Sequence, residues 1–219
     1  MDYDKPTLLV ISGPNGAGKS TFIASLLPVA FQGIVSFDRD KTRTAFEQEL
    51  RQESLSPDEV TAKATRIMEA RLERAMDQAI AVKSHFVLET PLSHPDYWKY
   101  IDRFERNGYQ IQLNYLCLDH IRACKFRVEQ RVREGGHHVD ARTIRGVYEM
   151  NLQHINNYQD TFKLIELYDG MIAPSLLVKI EDGQVVLGKE QALKKQWIKK
   201  GLPAIAAKLV RFLALQQSK

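Results

Sequence analysis

A short apolar, partly β-branched run, Thr7–Ser12, leads without a break into Gly13-Pro14-Asn15-Gly16-Ala17-Gly18-Lys19-Ser20-Thr21. Few sequence features constrain a fold as tightly. Glycine tolerates positive φ and close approach of the backbone, so the chain can reverse sharply straight after a strand. The spacing Gly13-x4-Gly18-Lys19-Ser20 is that of a phosphate-binding loop. In such a loop, successive backbone N–H groups point into one concavity and hold an anion. The reading places a helix start near Gly18, whose positive dipole end would add to the cradle. Lys19 can then reach the outer phosphates of a nucleoside triphosphate, and Ser20 can ligate Mg²⁺. The alternative is a glycine-rich turn without a ligand.

The rest of the chain alternates between strand and helix patterns, as expected of an α/β protein with a mostly parallel sheet flanked by helices. The spacing predicts a loop helix over Thr21–Leu27 and a second strand over Gly33–Phe37. A helix runs from the Ser56-Pro57-Asp58-Glu59 start to Val82, with Ala64, Ile67, Met68 and Leu72 on one face. Further strands are expected at His85–Leu88, Tyr109–Cys117 and Leu164–Tyr168, and helices at Asp119–Glu134 and Ala141–Tyr158. Around Glu181-Asp182-Gly183, Ser175–Ile180 and Val185–Leu187 form a hairpin. A docked C-terminal helix follows Gly201-Leu202-Pro203. The whole reads as one domain over 1–219, with a core of about 7–170 and a hairpin-and-helix appendage of about 174–217.

Composition narrows the function classes. A net charge of +4 over 219 residues is too mild to imply nucleic acid. The Lys194, Lys195, Lys199 and Lys200 cluster beside Trp197 reads as a solvated helix face, with nucleic-acid contact as the alternative. No apolar run is long enough to span a bilayer. The polar start Met1–Pro6 is unlike a signal peptide, and Cys117 and Cys124 read as reduced core thiols. A cytoplasmic location without nucleic-acid or membrane partners is expected.

Three sets of residues can carry chemistry. In open α/β sheets ligands lie beyond the carboxyl ends of the strands, which is where Asp38 and Asp40 fall. Alternation would put both on one side. Either can take a proton from a substrate hydroxyl, and Asp38 can equally cap the next helix. Glu89 ends the third strand and can position a metal's water shell or bind substrate. His94 reads as a surface residue. Arg127 and Arg131, four apart with like charge, repel unless an anion lies between them. With the Gly135-Gly136 hinge they suit a lid over phosphates. Lys125, Glu129 and Arg133 form a ladder of alternating sign, and a metal site at His137-His138 is not favoured.

The sequence resembles the zeta-toxin-like P-loop kinases, small members of which are also labelled predicted ABC-type ATPases. The resemblance covers about 7–160 and rests on the loop 13–21, Asp38-Arg39-Asp40, Leu88-Glu89-Thr90, and Arg131-Val132 with Gly135-Gly136-His137-x-Val139. It implies a P-loop NTPase fold, ATP with Mg²⁺, and an acceptor such as a UDP-amino sugar, UDP-N-acetylglucosamine in the best-known members. It further implies Asp40 as base, Glu89 at substrate or metal, Arg131, with Arg127 and Arg133, on the triphosphate, and an antitoxin protein as partner. Arg145 and Tyr148 match the arginine-rich run that follows in the family, while Gly146, Val147 and Met150 fill three of its arginine positions. Another small-molecule or nucleotide kinase, and a nucleotide-binding regulator without transfer, are the competing readings.

Overall fold

The computed structural model describes residues 1–136 and 138–217. Its elements in chain order are β1 (Thr7–Ser12), α1 (Ile23–Leu26), β2 (Phe37–Asp38), α2 (Arg39–Leu50), α3 (Pro57–Val82), β3 (Phe86–Glu89), α4 (Trp98–Arg106), β4 (Gln110–Cys117), α5 (Ile121–Arg133), α6 (Ala141–Asn157), β5 (Leu164–Asp169), β6 (Ser175–Glu181), β7 (Gln184–Gly188), α7 (Gln196–Lys199) and α8 (Pro203–Gln217). The strands form one seven-stranded sheet in the order β2-β3-β1-β4-β5-β6-β7. The first five run parallel, β6 is antiparallel to β5, and β7 is antiparallel to β6.

β1 is buried along its whole length, as a central parallel strand covered on both faces must be. Alternation divides its side chains. Leu8 and Val10 join Leu72, Met76, Tyr100 and Phe104 of α3 and α4 on one face. Leu9 and Ile11 join Val87, Leu116, Leu26 and Phe31 on the other. Each such aliphatic side chain removed from water contributes about 1.5–3 kcal/mol. α3 starts at a capping box in which Ser56 and Glu59 satisfy each other's backbone N–H, with Pro57 in the first turn. Its buried residues, Val60, Ala64, Met68, Leu72, Met76 and Ala79, recur at helical spacing.

Chain direction sets the opening. From β1 the chain passes left to β2 and β3, then right to β4 and β5. The carboxyl end of β1 therefore faces a crevice where the connections diverge.

Several expectations need correction. The strand expected over Gly33–Phe37 is reduced to Phe37–Asp38. Gly33 has a φ of 86°, and Val35 is 90% exposed with no strand to pair with. The loop helix has only four residues, Ile23–Leu26, and a separate turn occupies Gly18–Phe22. No helix therefore starts at Gly18 to aim a dipole at the cradle. No sequence pattern predicts α4, and α2 is anticipated only as the helix that Asp38 can cap. No described helix is long and apolar enough to cross a membrane. Cys117 and Cys124 are buried free thiols.

Candidate functional site

The glycine-rich loop is packed against its neighbours, and two of its glycines are required by contact. A Cβ on Gly13, whose φ is 154°, would lie 2.1 Å from the Leu116 carbonyl oxygen. One on Gly16, φ 80°, would lie 2.5 Å from that of Cys124. Any side chain at either position would push the loop off β4 and α5. Pro14 is buried and Asn15 half-buried, and Ala17 lies in the core beneath the loop. Lys19 turns inward: its Nζ donates to the carbonyl oxygens of Gly13 at 3.0 Å and Pro14 at 3.4 Å. The ammonium is held within its own loop by neutral carbonyl acceptors.

Carboxylates gather on the β2–β3 side. Strand register sets Asp38 opposite Glu89 and Glu89 opposite Ile11. Side chains at matched positions of parallel strands project to the same face, so the two acids meet. The Ser20 hydroxyl lies 2.9 Å from Glu89 Oε1 and 3.2 Å from Asp38 Oδ2. One hydroxyl has one proton to give, so two carboxylates compete for it. Burial, first of all, raises the Glu89 pKa above its ordinary value. The Lys19 charge and the Ser20 hydrogen bond oppose the rise, and the charges of Asp38 and Asp40 add to it. Hard oxygen donors with a surplus of negative charge suit Mg²⁺. The residues present therefore fit that ion, with Ser20, Asp38 and Glu89 as the groups that would hold it. Thr21 is exposed behind Ser20.

Alternation does not hold from Asp38 to Asp40, because the chain becomes helical at Arg39. Asp38 is the N-cap of α2 and accepts from the Lys41 N–H at 2.9 Å. Its capping and its contact with Ser20 coexist, one on each carboxylate oxygen. Asp40 sits in the first turn of α2, exposed, 3.8 Å from Arg43. Between them Arg39 is buried, ion-paired with Glu69 of α3, with its guanidinium carbon 4.6 Å from the Tyr97 ring centre and 5.3 Å from that of Tyr100. This anchor fixes the turn from which Asp38 and Asp40 project. Nothing in the sequence hints at it beyond an arginine flanked by two acids.

The segment after Glu89 is pinned at Leu92. Its N–H donates to Asn151 Oδ1 at 2.7 Å. Its carbonyl accepts from Trp98 Nε1 at 3.2 Å and lies 2.7 Å from His154 Nδ1. His94 is exposed and pairs with Asp96 at 3.3 Å.

The arginines are distributed differently from the lid that the spacing suggested. Arg127 donates to three main-chain carbonyls: Ala17 at 3.3 Å, Gly170 at 3.0 Å and Met171 at 2.7 Å. No anion is needed to separate it from Arg131, because its guanidinium points to these carbonyls. Arg131 and Arg133 lie in the exposed last turn of α5. The Lys125–Glu129–Arg133 ladder forms no ion pair among the described residues. Gly135-Gly136 closes the helix: Gly135 is left-handed, with a φ of 85°, and the Gly136 N–H bonds the Arg131 carbonyl at 2.9 Å. This is a Schellman cap, so the pair is a helix stop as well as a candidate hinge. His137 lies outside the described residues. Among those described, no group of three or more His, Cys, Asp or Glu residues could hold a metal ion on its own.

The zeta toxin family model matches residues 1–187. The chain belongs to the zeta toxin family. Among solved structures it is similar to the AvrRxo1-ORF1:AvrRxo1-ORF2 complex determined with ATP, at 14% identity and a TM-score of 0.66, over 90% of this chain and 64% of that one. It is also similar to the PezAT toxin–antitoxin system of Streptococcus pneumoniae, at 20% identity and a TM-score of 0.55, over 96% and 88% of the two chains. A putative kinase from Chloroflexus aurantiacus matches at 11% identity and a TM-score of 0.51, over 65% and 75%. The chain spans less than two thirds of the length of the AvrRxo1 chains it matches. No curated protein sequence matches it. These likenesses carry the fold: the α/β, mostly parallel sheet expected from the alternation of elements is that of P-loop kinases and zeta toxins.

Proposed function

We propose that this zeta toxin family protein is an ATP·Mg²⁺-dependent phosphotransferase acting on a hydroxyl of a small metabolite. The supporting observation is one hydroxyl, Ser20 Oγ in the glycine loop, within hydrogen-bond reach of two carboxylates from adjacent strand ends. In this reading, loop 13–21 wraps the phosphates with its backbone N–H groups, and Lys19 swings from its loop carbonyls to the outer phosphates. Ser20, Asp38 and Glu89 would hold Mg²⁺, which would supply positive charge to the phosphates. Asp40, solvated and at the open edge, takes the proton of the acceptor hydroxyl as it attacks. Arg131 and Arg133 face the transferring group from α5, and Arg127 keeps the loop floor in place. A UDP-amino sugar such as UDP-N-acetylglucosamine is the proposed acceptor class, and an antitoxin protein the proposed partner.

The test is single-turnover transfer of labelled γ-phosphate in the presence of a metabolite pool, read by a mass shift. One labelled acceptor, formed only with Mg²⁺, is expected. ATP binding without any transfer would replace this reading with that of a nucleotide-binding regulator.

A further inference from the structure

Lys195 lies beyond residue 187, where the family match ends, in a cluster that its sequence neighbourhood marks as a solvated basic face. In the structure it is not solvated. Its Nζ lies 2.6 Å from Asp169 Oδ2 and 2.9 Å from Asp119 Oδ1, and only 18% of its side chain is exposed. Burial works against the charge, but the hydrogen bonds and charges of Asp169 and Asp119 outweigh it and raise the Lys195 pKa. Both acids follow directly on the sheet, Asp169 as the last residue of β5 and Asp119 just past β4, at the carboxyl edge that also carries the glycine loop.

A continuous set of contacts leads from there to the loop. The other Asp169 oxygen accepts from the Met171 N–H at 3.2 Å, and the Gly170 N–H donates to the Cys117 carbonyl at 2.8 Å. The Gly170 and Met171 carbonyls receive Arg127, which also reaches the Ala17 carbonyl inside the glycine loop. Gly170 itself abuts that carbonyl, since a Cβ there would lie 3.1 Å from it. Asp119 and Asp169 bring two negative charges to the edge at which a polyphosphate would bind, and Lys195 is the cation paired with both.

We infer that Lys195 is a positioning residue for the nucleotide site: the C-terminal appendage uses it to hold the 169–171 turn and, through Arg127, the floor of the glycine loop, while neutralising two acids beside the phosphates. The inference rests on the ATP-binding part of the reading above, so its test has an arm that needs no nucleotide. Hydrogen exchange of the free protein is compared between wild type and Lys195→Gln over peptides covering 13–21 and 169–172. Faster exchange there, with protection in α3 unchanged, is expected. ATP titration in Mg²⁺ should then show a dissociation constant about 3- to 30-fold weaker for Lys195→Gln. Lys195→Arg should restore both. The double variant Lys195→Gln, Asp169→Asn should recover part of the affinity, because the uncompensated charge is removed while a Met171 acceptor remains.

Exchange over 13–21 identical to wild type, or ATP affinity within twofold of it, overturns the inference. If Lys195→Gln fails to fold, Asp119→Asn, which removes one partner of the same lysine, takes its place in the exchange comparison, and exchange over 13–21 identical to wild type again overturns the inference. Absence of ATP binding in the wild type would count against the phosphotransferase reading, and the exchange comparison would still decide this one.

Discussion

On one flank of the glycine loop the carboxylates come from strand ends. Asp38 and Glu89 are fixed opposite each other by parallel register and meet at Ser20. On the other flank the guanidinium groups come from one helix, and a single turn separates unlike fates. Arg127 is consumed by three carbonyls, whereas Arg131 and Arg133 stand at the exposed end of α5. A strand end offers few choices of direction, so the acids are preset. A helix offers a new direction at every residue, so arginines four apart can serve a loop floor and an open site. The acidic flank is organised before any ligand arrives, and the basic flank only in part.

That contrast can be broken experimentally. The largest effect is expected at the loop between the flanks. At 100-fold excess over Kd, ATP should stabilise the wild type by about 2.7 kcal/mol, on the order of 5–10 °C in Tm. Lys19→Ala should erase this shift, and equal shifts in both proteins would remove the loop from the binding site. Next comes Asp40→Asn, which keeps size and loses the proton acceptor. Single-turnover transfer should fall about 10²–10⁴-fold with ATP binding retained. If Asp38→Asn slows transfer while Asp40→Asn does not, the base has been assigned to the wrong acid.

A third pair addresses the arginines directly. Arg131→Ala should reduce transfer roughly 10²-fold, as the loss of a transition-state donor does, with Tm unchanged. Arg127→Ala should instead lower Tm in nucleotide-free protein, because it strips donors from three carbonyls, one of them in the buried Gly170. The reverse pattern would erase the difference between the two residues. The smallest effect is a gain. The folded-state pKa of Glu89 is raised, so its ionised form costs stability in the free protein. That cost is absent below the unfolded pKa and grows as pH rises through the folded one. Glu89→Gln should therefore raise Tm of free protein at neutral pH, less so near pH 4, while abolishing the Mg²⁺ dependence of ATP binding. A lower Tm at neutral pH would show that the acidic flank is not under charge strain.

How legible each part was in the sequence follows from how local its cause is. The glycine loop, β1 and β4 are set by short apolar runs and φ > 0 positions, which a sequence displays directly. β2 is an edge strand two residues long, and Val35 beside it has a β-former's side chain with no strand to meet. α2 carries few apolar residues across Arg39–Leu50, so no periodic stripe announces it. α4 does have such a stripe in Tyr100, Ile101 and Phe104, and the His94-Pro95 start could have flagged it. Asn151, His154, Arg39 and Lys195 act through partners 26 to 76 positions away in the chain. Nothing near them in sequence says which of many polar residues will be drawn inward.

The two buried thiols have a practical consequence. The thiolate is the form that reacts with alkylating dyes. Burial pushes the Cys124 thiol up to about 11 and that of Cys117 higher still. Both should stay silent towards maleimides at neutral pH while the chain is folded. The native protein is thus an unlabelled background, and a fluorophore placed at exposed Glu134 through Glu134→Cys would report on the end of α5 alone. Emission followed during an ATP titration would register whether the arginine-bearing turn changes its surroundings, and with what rate, in a molecule that needs no cysteine removed first.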